Sequence, residues 1–341
     1  MFFVLIFFTI NILFCIWNPS YKNRQIQTIY WAFCVLAIFF IGFRGAIDND
    51  YAAYTAMFSD NSILVEPAFL LIRFLIRDIC GGGITGLMFV YAIISVTIKF
   101  VAIKRYSEFI FPSLIIWIGN LMILQDMTQI RAAAACGILL LSIGALYHRN
   151  WLHYFGWVLL ATMFHASALL MLPLWFLSSD RINRGIWTCV ILTGYLLSLN
   201  GVYLTSLISF VPIEFIQEKF LIYSVEITDD GNGGANILGL FQITRIGIFL
   251  FLLWNIHKIQ PHNRYSVLLL KIMACGLTAL PLFRNNLTAG LRITEFLTCV
   301  DILLFPMVIY LFSPKALGKW LVVGYSAAIM YGRLFVEELL K

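Results

Sequence analysis

The chain has 341 residues, 61% hydrophobic and 12% charged, with a formal net charge of +6. Soluble domains carry about 25% charged residues, and apolar runs recur here along the whole length, so a single soluble core is excluded and helices in lipid are implied. The basic excess would suggest nucleic acid in a soluble chain, but here it sits in short loops between apolar runs, so it reads as an orientation signal and no nucleic-acid partner is expected.

Taken in order, the candidate spans are 1–17, 27–43, 84–103, 109–124, 131–147, 186–204, 237–256, 265–282, 293–312 and 319–336. The expected fold class is all-α: a polytopic transmembrane helical bundle of about 10–12 membrane segments, some short or re-entrant, forming one integral membrane domain over 1–341. The run 1–17 has no basic n-region and no small-residue cleavage site, so it reads as a retained span rather than a signal peptide. The seven cysteines show no CxxC and no pairing with histidine, and are read as small core residues.

The basic short loops are Lys22/Arg24, Lys104/Arg105, His148/Arg149, Arg181/Arg184, Lys258/Arg264 and Lys315/Lys319. Placing them all inside threads the spans consistently and puts the N-terminus outside. Charge type then segregates. Lys22, Lys99, Lys104, Lys258, Lys271, Lys315 and Lys319 fall at or near the inside. Arg44, Arg73, Arg77, Arg131, Arg245, Arg284, Arg292 and Arg333 fall outside, with most acids, including Asp48, Asp50, Asp60, Glu66, Asp126, Asp229, Asp230 and Glu295. Outer arginines suit a phosphate- or carboxylate-bearing ligand, which the guanidinium fork grips at two points; pairing with the outer acids and lipid phosphates is the alternative for any one of them.

Three stretches stand apart. Stretch 66–80, within an outer loop over 44–83, carries Arg73, Arg77 and Asp78 and fits an interfacial helix. Stretch 152–178 is too short for two full crossings of a ~30 Å core, so it forms either two short helices with a tip at Phe164-His165-Ala166-Ser167 or a re-entrant segment. The long outer loop 205–236 contains 212–226, which fits the membrane surface, and the glycine-rich run 229–234, which reads as a loop tip because it lacks the downstream glutamate of a calcium loop.

Four constellations carry chemistry. In the first outer loop, Arg44 and Asp48, then Asp50 and Tyr54, are each four apart and would share a helical face. With Tyr51 they offer the carboxylates, hydroxyls and aromatic faces that suit sugar rings; an ordinary charged loop is the competing view. Glu66-Pro67 follows, with Glu66 placed to cap a helix that Pro67 begins. The second constellation is Gln125, Asp126, Thr128, Gln129 and Arg131, with Gln125, Thr128 and Gln129 expected on one helical face, before the alanines 132–135, which let helices approach closely. Arg131 near a helix start would hold an anion, or would snorkel to the interface. In the third, His165 lies in an otherwise apolar stretch, where ionisable groups mark function; it can take a proton from a sugar hydroxyl or be a buried, hydrogen-bonded structural histidine. The fourth is Arg245, Arg284, Arg292 and Glu295, with Asp301 the candidate partner of Arg245 inside its span. Asn286-Leu287-Thr288 is a weak glycosylation sequon. No metal-ligand spacing or P-loop appears, so no metal or cofactor is expected, and a transfer reaction must use a donor that arrives activated.

The residues Phe43-Arg44, Asp50-Tyr51, Tyr54, Glu66-Pro67 with Phe69, Gln129-Ile130-Arg131 with its alanines, and Phe164-His165-Ala166-Ser167-Ala168 occur in an order that resembles the EpsG-like, Wzy-type polysaccharide polymerases of bacteria. The match lies within 43–168; Ala68 stands where that pattern often has Gly, and the later half is similar in hydropathy and in an arginine-bearing outer loop. The resemblance implies a metal-independent glycosyltransferase in the bacterial cytoplasmic membrane, its site facing outside. It would polymerise oligosaccharide units carried on undecaprenyl diphosphate in O-antigen or exopolysaccharide synthesis, with membrane lipids and a chain-length regulator protein as partners. On this footing Arg131, Arg284 and Arg292 hold diphosphate and His165 is the base, while Arg44, Asp48, Asp50, Tyr51, Tyr54, Glu66, Gln129, Arg245 and Glu295 contact substrate. The competing classes are an O-antigen ligase, which would carry a larger outer domain, a membrane acyltransferase, which would need an acyl-donor route, and a flippase, for which no inverted repeat is seen.

Overall fold

A computed structural model describes residues 2–17, 19–204 and 239–340. The expected outer loop 205–236, with 212–226, Asp229 and Asp230, lies outside the described residues. The described chain is helical, with no strand beyond an isolated bridge between Asp48 and Leu340. Among the described residues, five helices are long and apolar enough to cross a membrane, Arg24–Gly42, Ile84–Tyr106, Ile110–Thr128, Ile130–Tyr147 and Leu287–Leu311, and six shorter apolar helices accompany them. This is the all-α polytopic membrane protein that the hydropathy implied.

The chain divides into two compact units, Met1–Leu172 with Ile302–Lys341, and Pro173–Asp301. The first unit holds α1 (Phe2–Trp17), α2 (Arg24–Gly42), α3 (Tyr51–Ser59) and α4 (Pro67–Arg73), which runs on as a π-helical turn, Phe74–Ile79. Then come α5 (Ile84–Tyr106), α6 (Ile110–Ile116) with its π-helical continuation Trp117–Thr128, α7 (Ile130–Tyr147) and α8 (Trp151–Phe164). Helix α5 packs against α2 and α7, and α7 against α8. Small residues permit this closeness: a Cβ on Gly137 of α7 would come within 2.9 Å of Ile98 on α5. Trp117, Tyr30, Tyr91, Phe69 and Phe100 fill the interior. Outward, Val35, Leu36 and Phe39 of α2 are each 51% exposed, as lipid allows and water would not.

The second unit carries α9 (Arg184–Leu199), α10 (Leu240–Trp254), α11 (Ile256–Ile259), α12 (Ser266–Leu282) and α13 (Leu287–Thr298). Helix α12 is its axis, packed against α9, α10 and α13. The remaining elements are α14 (Asp301–Leu304), the 3-10 segment Phe305–Leu311, α15 (Lys315–Tyr331) and the π-helical turn Gly332–Val336.

Local geometry settles several expectations. Within stretch 152–178, α8 ends at Phe164, His165 is extended (φ −158°, ψ 132°), and a 3-10 segment, Ala166–Phe176, follows. Stretch 66–80 is not uniformly superficial, because Ala68, Phe69, Ile72 and Arg73 are buried. Gln125, Thr128 and Gln129 do not share an α-helical face. The backbone there is π-helical to Thr128, with Thr128 Oγ1 donating to the Ile123 carbonyl at 3.0 Å, and it breaks at Gln129 (φ −96°, ψ 61°). Lys99 and Asp126 do not mark opposite sides. Both are fully buried and form an ion pair at 2.6 Å, with Trp117 Nε1 donating to the other Asp126 oxygen at 2.8 Å. Lys271 is likewise a buried group, its Nζ donating to the Ser178 carbonyl at 2.5 Å and hydroxyl at 2.6 Å. A lone intramembrane charge must find a partner, and these lysines found theirs in the protein, so neither reports orientation.

Candidate functional site

Glu66 precedes Pro67, whose fixed φ suits the first position of α4. The Glu66 backbone is extended (φ −67°, ψ 152°), and its carbonyl accepts from the amides of Phe69 at 3.0 Å and Leu70 at 3.2 Å. Its side chain makes no capping bond to α4, against the capping role expected of it. The carboxylate turns inward instead, 2% exposed, and meets two groups from distant helices. One oxygen accepts a hydrogen bond from Arg131 Nη1, and the other lies 3.3 Å from His165 Nδ1.

Each partner is placed by a break in regular structure. Arg131 is the second residue of α7, immediately after the Gln129 break that ends the π-helix. His165 occupies the extended joint between α8 and the 3-10 segment, its amide donating to the Ala161 carbonyl and its carbonyl accepting from the Ala168 amide, both at 3.0 Å. Helix ends project side chains that a continuous helix would align along its own face, which is how three segments converge on one point.

Aromatic rings floor the cluster. The Arg131 guanidinium stands 5.7 Å from the Tyr54 ring centroid and 6.0 Å from that of Phe69, within cation–π range. Tyr54, Phe69, Tyr91 and Phe164 then continue ring to ring at 6.4, 6.2 and 6.1 Å. Among the described residues, Arg131 Nε and the Tyr91 hydroxyl are buried donors with no hydrogen-bond partner. Tyr91 escaped the sequence reading because a tyrosine inside an apolar span looks like any core aromatic.

The structure brings together Glu66, Arg131, His165 and Tyr54 and gives the neighbouring candidates other partners. Arg44 Nε donates to Asp48 at 3.0 Å, and its other nitrogens reach the Ile41 carbonyl at 2.8 Å and Met88 sulfur at 3.4 Å. This ion pair survives without the helix assumed for it: residues 43–50 form a loop in which Gly45 takes φ +70°, open to glycine without strain. Burial pushes the Asp48 carboxyl above its ordinary value, against the pull of Arg44 and the Asp50 amide. Asp50 directly precedes α3, and Asp50 and Tyr51 are half-buried. Gln129 contributes the break itself, with its carbonyl accepting from the Ala133 amide at 2.9 Å.

Arg73 and Arg77 prove structural. Arg73 Nη1 donates to the carbonyls of Met57 at 2.8 Å and Asp60 at 3.0 Å, and Arg77 Nη1 to that of Phe58 at 3.0 Å. These are carbonyls at the end of α3, where cations satisfy groups the helix leaves unpaired. Within the second unit, Arg245 lies 3.7 Å from Asp301, the partner expected for it. Arg284 sits half-buried in the turn between α12 and α13, and half-buried Arg292 and Glu295 lie on α13. Asn286 is 2% exposed and caps α13 through Ala289 at 3.0 Å, so its amide serves the helix rather than a sequon.

The same stretches that supply the cluster fall inside a match to a protein-family model, that of the EpsG family, over residues 27–337. The chain belongs to the EpsG family. No curated protein and no solved structure matches it. EpsG-family membership supports a role of the membrane glycan polymerase type. Glu66, Arg131 and His165 lie within the matched residues. Among the described residues, no group of three or more histidines, cysteines and carboxylates is arranged to hold a metal ion.

Proposed function

We propose that this EpsG-family chain is a polysaccharide polymerase that joins lipid-diphosphate-linked oligosaccharide units, and that Glu66, Arg131 and His165 form its transfer site on the extracytoplasmic face of the bacterial cytoplasmic membrane. The convergence of a guanidinium, an imidazole and a buried carboxylate is the observation that carries this reading.

The acceptor sugar hydroxyl attacks the anomeric carbon of the donor glycan. The bond from that carbon to the diphosphate oxygen breaks, and the lipid diphosphate leaves with the electron pair. Arg131 meets the developing negative charge, using guanidinium donors beyond the one given to Glu66, and no metal ion is assigned to that task. His165 takes the hydroxyl proton. With Nδ1 3.3 Å from a Glu66 oxygen, Nε2 is assigned as the accepting nitrogen, and the carboxylate stabilises the imidazolium that forms. Glu66 is thus assigned to orienting His165 and balancing Arg131 rather than to gripping sugar. The diphosphate role of Arg284 and Arg292 and the substrate role of Glu295 rest on residue type and family resemblance.

A strain lacking the protein supplies the test against a flippase. Loss of a polymerase leaves single repeat units on the outer acceptor, whereas loss of a flippase leaves none. Complementation with Arg131→Ala should reproduce the single-unit pattern on a gel; long-chain polymer from that variant would remove Arg131 from the mechanism.

A further inference from the structure

The first unit contains an open cavity of about 410 Å³ whose lining includes none of Glu66, Arg131 and His165. It is lined by Asn49, Leu334, Phe335, Glu337, Glu338 and Leu340. Its walls come from two segments nearly the whole chain apart, the first outer loop and the tail after α15, both on the outer side by loop charge. Backbone pairing between Asp48 and Leu340 joins them, as does the Asn49 amide nitrogen, which donates to the Glu338 carbonyl at 3.3 Å.

The cavity is built rather than incidental. Arg333, 8% exposed, holds the tail in place: Nη1 pairs with Glu337 at 2.5 Å and Nη2 donates to Asn120 Oδ1 at 3.4 Å on the π-helix after α6. The Leu339 amide donates back to the Arg333 carbonyl at 3.1 Å. Glu338 sits at φ 48°, a left-handed conformation that a non-glycine residue adopts at a cost. At that residue the tail passes Asn49, whose side-chain nitrogen donates to its carbonyl.

The lining defines the ligand. Among the described residues that line it, the Glu338 carboxylate and the Asn49 side-chain carbonyl offer acceptors, Glu337 is paired with Arg333, and none is a cation, so an anionic ligand is disfavoured. Leu334, Leu340 and the Phe335 ring, the last 48% exposed, give apolar faces beside those acceptors. The volume falls within the ~300–1,000 Å³ of small-molecule sites. Sugar rings, with hydroxyl edges and C–H faces, match acceptors set among apolar walls. We infer that this cavity is a saccharide-binding site for a ring that is uncharged or carries an amine. Its use for the growing or accepting glycan rests on the polymerase reading; its binding of sugar does not.

Saturation-transfer NMR on the full chain in nanodiscs tests this, with cellobiose, chitobiose and glucosamine disaccharide as probes and digalacturonic acid as the anionic comparison. At least one of the first three should bind the unaltered protein, with digalacturonic acid weaker. Asn49→Ala and Glu338→Gly should each weaken that binding about tenfold. Glu338→Gly removes the carboxylate while suiting the left-handed backbone, so a lost fold does not explain its effect. Arg131→Ala should keep the binding, which separates this site from the transfer cluster. Absence of binding by all three probes, or binding unchanged in both cavity variants, would overturn the inference. Polymer formation does not enter the readout, so failure of the polymerase reading would leave a positive result standing.

Discussion

Arg131 is the residue on which most of the chemistry converges, because its guanidinium is shared between a carboxylate and two aromatic faces. Replacing it by lysine keeps one charge but loses the planar fork and the stacking. Arg131→Lys should therefore fall well short of the unaltered protein in polymer length. If the guanidinium serves only as a point charge, lysine would restore full-length chains. His165→Ala should lower the transfer rate by about 10²–10⁴-fold, the span typical of a general base; a rate within threefold of the unaltered protein would remove it from that role. Glu66→Gln should depress rate while sparing the fold more than Glu66→Ala, since the amide keeps the packing but no longer stabilises an imidazolium.

Among elements, the π-helix Trp117–Thr128 links the fold to the site. It places Asp126 against Lys99 and Trp117, and its end at Gln129 sets the start of α7 and with it Arg131. Removing one partner of a buried ion pair costs about 3–5 kcal/mol, whereas replacing both by apolar groups is often neutral. Lys99→Met should thus lower the thermal unfolding midpoint sharply in detergent, and Lys99→Met with Asp126→Leu should recover most of the loss; an additive double variant would deny the coupling. The sequence showed these elements unevenly. Hydropathy located the spans, and the isolated histidine marked the joint after α8, because both signals are local. The Lys99–Asp126 pair was hidden by a rule that reads lysine as an orientation marker, although both residues lie within apolar spans. The capping of α3 by Arg73 and Arg77 was equally invisible, since it depends on where α4 folds back. The π-helical winding, which a periodicity of 3.6 cannot register, undid the face drawn through Gln125, Thr128 and Gln129.

Across the whole molecule, the proposed transfer and saccharide sites require the loop around residue 44, the start of α7 near Arg131 and the tail beyond α15 to share the extracytoplasmic side. Alkaline-phosphatase fusions near these points should be active, and fusions at the Lys104/Arg105 loop silent; the reverse pattern would invert the site. The most direct measurement takes the purified chain in nanodiscs with defined oligosaccharide units on undecaprenyl diphosphate. A ladder of longer lipid-linked glycans is expected from the unaltered protein and single units from Arg131→Ala. A ladder from both, or from neither when the protein is folded, would contradict the assignment of polymerisation to this cluster.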